Sequence, residues 1–156
     1  MKKAVFTLLA ALPFASMAQT PAANGTFTVK GKIGNLSAPA KAYLEYRKDG
    51  KTIDDSVAIK NGMFEFKGEA AKTPTQAYLI MNKAGTGMSK ARDYQQIYLE
   101  PGVITVKNTV DSLQTATVGG TQTNIENESY KLASKPVSDI YATMNAKNKA
   151  ATPAQR

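Results

Sequence analysis

Two dipeptides, Asp49-Gly50 and Asn61-Gly62, interrupt stretches in which apolar and polar side chains alternate, and nothing else in the chain narrows its fold as much. Both positions of such a pair tolerate positive φ and so close a two-residue hairpin turn. Alternation with period two marks a strand with one face buried. Phe27, Val29, Gly31 and Ile33 share one face, while Thr28, Lys30 and Lys32 share the other. Ala42, Leu44 and Tyr46 oppose Tyr43, Glu45 and Arg47. The less regular run Lys51 to Ile59 sets Ile53, Asp55, Val57 and Ile59 against Asp54 and Ser56, and Phe64 and Phe66 then alternate with Glu65 and Lys67. With each dipeptide closing a hairpin, the stretch is expected to run as a meander.

Further strands are expected at Gln76 to Met81, apolar on both parities, at Tyr94 to Leu99, at Val103 to Val110 and, as a short closing strand, at Leu113 to Val118. Glu100-Pro101-Gly102 supplies a corner in which proline presets φ. Asn82 to Arg92, with its two glycines, is expected to be an exposed loop. Turn signals at such short intervals predict a mainly β protein, an antiparallel β-sandwich of seven or eight strands over residues 26–120, with a small barrel as the alternative closure. Its inner face should carry Phe27, Val29, Leu44, Phe64, Phe66, Leu99, Ile104 and Val106.

The period changes after Gly120. Thr121 and Thr123 are capping residues, Glu126 stands three beyond Thr123 as in a capping box, and apolar residues recur at helical steps through Met144. Residues 121–145 are therefore expected to form a C-terminal helical appendage, kinked or broken at Pro136, whose ring removes a backbone donor. The Ala-, Lys- and Asn-rich residues 146–156 are expected to be a disordered tail.

The other end reads as a secretory signal. Lys2 and Lys3 precede an apolar run from Ala4 to Ala15, and Ser16-Met17-Ala18 offers small side chains for cleavage after Ala18. The run is shorter than the roughly 20 residues a spanning helix needs. Residues 1–18 are thus expected to be a signal peptide and 19–25 a flexible lead, giving a periplasmic or extracellular protein that is soluble after cleavage. The chain has no cysteine and no histidine. Disulfide stapling and thiol chemistry are excluded, and the commonest neutral-pH base and zinc ligand are missing. The formal charge is +8, but lysines occur singly and acids are interspersed, so a solvated surface is expected and nucleic acid is not an expected partner.

Few residues invite a chemical role. Adjacent Asp54 and Asp55 would face opposite sides of a strand and so make no carboxylate pair by themselves; Asp55, on the apolar parity, is expected to accept backbone amides. Tyr43, Tyr46, Tyr78, Tyr94 and Tyr98 fall in strands, where packing at the core edge or an exposed binding platform are the two roles open to them. Gly85-Thr86-Gly87 lacks the lysine and the strand-to-helix setting of a phosphate loop. No catalytic residue, metal site or cofactor is expected.

The sequence Phe27-Thr28-Val29-Lys30-Gly31-Lys32-Ile33, the strand Tyr43-Leu44-Glu45-Tyr46, and Asp55-Ser56-Val57 leading into Asn61-Gly62-Met63-Phe64-Glu65-Phe66-Lys67-Gly68 carry a family resemblance. So do Ile97-Tyr98-Leu99-Glu100-Pro101-Gly102, Asp111-Ser112-Leu113 and Val118-Gly119-Gly120-Thr121. Together, over residues 26–145, they resemble the DUF4369-like β domain of uncharacterised function that precedes thioredoxin-like domains in exported thiol-disulfide proteins of Bacteroidetes-type bacteria. The family's helix usually continues into a domain with a Cys-x-x-Cys pair, and none occurs here. A stand-alone relative, a natural truncation and a fragment all fit that departure. The resemblance implies a non-catalytic binding or positioning module whose partner is an envelope thioredoxin-like protein or a homologous subunit, reached through the C-terminal helix. The alternatives are a glycan- or peptide-binding envelope protein and, lower in order, a carboxylate-based hydrolase.

Overall fold

The computed structural model describes residues 25–89 and 91–150. The expected signal peptide, most of the flexible lead and the last part of the expected tail lie outside them. Eight strands are present among the described residues: β1 (Thr26–Ile33), β2 (Lys41–Lys48), β3 (Lys51–Ala58), β4 (Met63–Glu69), β5 (Thr75–Asn82), β6 (Asp93–Leu99), β7 (Gly102–Asn108) and β8 (Thr117–Gly119). One helix, α1 (Gln122–Ala150), follows them.

The strands form two four-stranded sheets, ordered β4-β1-β7-β8 and β3-β2-β5-β6. Phe27, Val29, Ile33, Phe64, Phe66, Ile104, Val106 and Val118 from the first sheet meet Ala42, Leu44, Ala77, Leu79, Met81, Ile97 and Leu99 from the second in one buried cluster. Every residue expected on the inner face is in it. Phe64 lies over the strand glycine Gly31, where an added Cβ would meet the ring at 2.0 Å. The mainly β sandwich with a C-terminal helix is therefore the observed architecture.

The connectivity departs from the expectation in two respects. Only Asp49-Gly50 closes a hairpin between paired strands, β2 and β3. Asn61-Gly62 adopts the expected positive φ values, 50° and 74°, but the strands on either side keep a single bridge, Lys60 to Met63, before parting into different sheets. The turn is a crossing point, tied down by Ile33 N–H donating to Gly62 O (2.8 Å) and Gly62 N–H donating to Leu36 O (2.7 Å). There is accordingly no meander: β1 pairs with β4. The sandwich is also not wholly antiparallel, since β1 pairs with β7 in parallel, Phe27 opposite Gly102. Dipeptide chemistry specifies a turn's dihedrals and leaves open which sheet each flank joins.

Smaller corrections concern burial. Between Gln76 and Met81 only Ala77, Leu79 and Met81 are buried, because the other face of β5 is an outer face of the sandwich. The loop after it is organised by Asn82, a buried residue whose amide donates to Gly87 O (2.6 Å) and whose oxygen accepts from Ala84 N–H (2.9 Å). Leu113 closes the core from a turn ahead of the short β8, and Asp93 accepts the Leu113 and Gln114 amides at 2.8 and 3.1 Å. The helix passes through Pro136 as one element and continues to Ala150, so residues 146–150, expected in the tail, are helical.

Exposed ion pairs set the pH response. The Lys67 ammonium, hydrogen-bonded to Glu65 at 2.7 Å, holds that carboxyl below its ordinary 4.5, and Lys48 does the same for Glu69 at 2.6 Å. The Glu69 hydrogen bond raises Lys48 above its ordinary 10.5. A lowered carboxyl contributes stability above its unfolded value and loses it as pH falls through the folded one; a raised lysine loses its contribution as pH rises through the folded one. With no histidine in the chain, the melting temperature should stay level between about pH 5.5 and 9. Scanning calorimetry should show it falling below pH 4.5, less steeply in Glu65→Gln/Glu69→Gln.

Candidate functional site

The helix is attached to the sandwich by polar groups. β6 is the outer strand of its sheet, so one side of its backbone lacks a neighbouring strand. Asn124, wholly buried, takes that place: its amide oxygen accepts from Tyr98 N–H (2.9 Å) and its nitrogen donates to Tyr98 O (2.7 Å). A side-chain amide thus pairs with one residue of the strand edge as another peptide would. The same nitrogen donates to Thr121 Oγ1 (2.8 Å), which links the edge to the residue just before the helix.

A second clasp reaches the first turn from the β6–β7 corner. Glu100 accepts from Thr123 N–H and Thr123 Oγ1, both at 2.8 Å. The first turn of α1 has no acidic residue of its own, so Glu100 brings the negative charge that satisfies free amides and complements the helix dipole. The expected capping box at Thr123 and Glu126 gives way to this arrangement: Thr121 precedes the helix, and Glu126 accepts from Gln122 instead.

Beyond its root the helix leaves the sandwich. Asn124 is its buried residue, Glu128, Lys131 and Ser134 are half-buried, and from Lys135 to Ala150 every residue is exposed. That exposed part is about 24 Å long at 1.5 Å per residue. Val137, Ile140, Tyr141 and Met144 follow the i, i+3, i+4, i+7 spacing of one face and are between 53% and 63% exposed. Lys135 pairs with Asp139 at 2.9 Å on the exposed surface, and Lys147 and Lys149 stand in the last turn, where cations suit the dipole.

The tyrosines divide between packed positions and the exposed outer face. Tyr43 is buried and its hydroxyl accepts from Gly87 N–H (3.0 Å), which secures the loop after β5. Tyr46 is half-buried and meets Phe27 edge to face at 6.0 Å. Tyr78 and Tyr94 lie on the outer face of the second sheet, 37% and 55% exposed, in edge-to-face contact at 6.2 Å. Tyr98 is half-buried, its hydroxyl accepting from Gln96 at 2.9 Å. A 520 Å³ depression beside them is lined by Glu45, Tyr46, Arg47, Thr52, Gln76 and Tyr78 among others.

Asp55 is not held in the interior. It shares a face with Leu44, its partner across β2–β3, but β3 is an outer strand and the carboxylate is exposed, accepting only the amide of neighbouring Ser56 (2.7 Å). Parity assigned it to the inner side, and the end of the sheet leaves that side open. A charge pointing inward on an outer strand discourages pairing with another chain's edge. Asp54, also exposed, lies opposite Glu45 on the other side of the sheet. Among the described residues no three acidic, histidine or cysteine side chains are grouped so as to hold a metal ion.

Asn124 and Glu100 are the residues that sequence reasoning missed. Their signal was the Gly-Gly-Thr exit followed by asparagine three residues after the threonine, together with an acidic corner residue.

These features define a β-sandwich domain with a helix rooted on the edge of its second sheet. Residues 27–127 match the family model described as Domain of unknown function (DUF4369), and the chain belongs to that family. No curated protein and no solved structure matches it.

Proposed function

We propose that this chain is a non-catalytic module of the bacterial cell envelope, periplasmic or extracellular, that binds or positions a partner through α1. The observation carrying this proposal is the pairing of a fixed root with a free apolar face: Asn124 and Glu100 hold the first turn, while Val137, Ile140, Tyr141 and Met144 are left in water. Side chains at that spacing are the anchors of helix-in-groove recognition. The partner is an envelope thioredoxin-like protein or a homologous subunit, and the rigid root fixes the direction in which the helix presents it.

The test compares the chain from Gln19 onward with a variant carrying serine at Val137, Ile140, Tyr141 and Met144. Support would be recovery of a thioredoxin-like protein from envelope extract, or a dimeric native mass, with the parent chain alone. Equal recovery and equal mass for both would sink the proposal.

The Tyr78–Tyr94 pair favours a second use, binding of a glycan or peptide on the outer face of the second sheet, where ring faces and amide groups are exposed together. Tyr78→Ala/Tyr94→Ala should then abolish retention on a glycan or peptide array while leaving the helix-dependent partner in place.

A further inference from the structure

The lysines that lie far apart in sequence meet on the outer face of the first sheet. Pairing of β1 with β4 and β7 sets Lys30 between Glu65 and Thr105, and Lys32 between Met63 and Lys107. Lys60 joins them from the crossing turn. These residues, with Ala58, Gly31 and Phe64, line an open groove of about 540 Å³, a volume within the roughly 300–1,000 Å³ of small-molecule sites. Its surface is largely apolar: the lysines contribute their methylene stems, and Met63 stands in it 54% exposed.

The charges on this face do not cancel. Glu65 is the acid lining the groove, and it is engaged by Lys67 at 2.7 Å and by Lys30 at 3.7 Å. Lys32 donates to Gly34 O (2.6 Å) and Asn61 O (2.7 Å), neutral acceptors that leave its charge in place. The side chains of Lys60 and Lys107 make no hydrogen bond or ion pair among the described residues, and Lys107 stands directly opposite Lys32, an unfavourable like-charge neighbour. An apolar trough bordered by unpaired ammonium groups complements a molecule with one hydrocarbon chain and one anionic head.

We propose that this groove binds a single-chain anionic amphiphile, its chain along Met63 and Ala58 and its phosphate or carboxylate head at Lys60 and Lys107. The probe is dodecyl phosphate below its micellar concentration, titrated calorimetrically into the chain from Gln19 onward. Dodecanoate tests the other head group, and dodecyl maltoside and inorganic phosphate supply chain and head separately. Saturable binding of both anionic amphiphiles, weakened by salt as the screening length shrinks from about 10 Å at 0.1 M to about 3 Å at 1 M, is expected. Lys60→Gln/Lys107→Gln should lower the affinity about tenfold, within the worth of two exposed ion pairs. Met63→Asp should lower it at least as much, and Lys51→Gln/Lys83→Gln, the same charge change elsewhere, should leave it within about twofold. All variants change exposed side chains, and their melting temperatures report whether the fold is kept. Equal affinity for inorganic phosphate, binding only to phosphatidylglycerol vesicles and not to the monomeric amphiphiles, or insensitivity to both groove variants would overturn the proposal.

Discussion

Asn124→Ala is expected to lower the unfolding free energy by about 3 kcal/mol, because it strands a buried donor and a buried acceptor of Tyr98 and each such group costs roughly 1–3 kcal/mol. Part of that loss returns if water enters the vacated site, so the lower half of the combined range applies. The substitution also disconnects Thr121 Oγ1 from the strand edge. Glu100 then remains as the clasp on the helix, and a long exposed helix held by one clasp should fray. Urea unfolding would measure the first effect and far-ultraviolet circular dichroism the second. Asn124→Asp keeps the acceptor for Tyr98 N–H but sets a carboxylate against Tyr98 O, so it should be no milder than alanine. A loss below 1 kcal/mol with an unchanged helical signal would show that the amide clasp is dispensable.

Gly62→Ala should destabilise the fold by about 3–4 kcal/mol, and Gly50→Ala by only about 1–2 kcal/mol, although the two glycines share nearly the same φ, +74° and +76°. The common part is the left-handed conformation, which an L side chain adopts at a cost. The difference is space. A Cβ at Gly62 would lie 2.3 Å from Gly34 O and 2.4 Å from Ile33 O, whereas at Gly50 it would meet nothing within 4 Å. Backbone oxygens cannot turn aside as a side chain can, so relief requires moving the end of β1 away from the crossing turn. Equal midpoints in denaturant for the two variants would mean that the turn relaxes freely and does not hold the two sheets together.

That pair of glycines also shows what the sequence conveyed. Alternation was enough to name Phe27, Val29, Phe64, Phe66, Ile104 and Val106 as inner residues, because a strand's parity is local and survives any choice of partner. Asp-Gly and Asn-Gly likewise announced their dihedrals. What stayed hidden was long-range: the parallel pairing of β1 with β7, the parting of strands at Asn61-Gly62, and the open side beneath Asp55 all depend on which strands are neighbours. The lysine groove was half visible, since Lys30 and Lys32 share a parity, but Lys107 joins them only through that parallel register. The clasp on the helix was least legible. An asparagine near a helix start ordinarily reads as local capping, and its true partner, Tyr98, belongs to a strand it follows by more than a helical turn of loop and two further strands.

The two sheets draw on the chain in different ways, and this sets the order in which they can form. Strands β2, β3, β5 and β6 all come from the contiguous stretch Lys41 to Leu99, so the second sheet has all its strands once that stretch exists. The first sheet takes β1 from before it, β4 from within it, and β7 and β8 from after it. During synthesis β1 emerges first yet must wait for nearly the whole sandwich before its parallel partner arrives, and closure over so long a loop is the slow kind of contact to make. Until then Ile33 and Val29 have one flank unpaired. The second sheet is therefore the platform on which the two ends of the domain meet, and the long-range register between β1 and β7 is the one that also gathers the lysines.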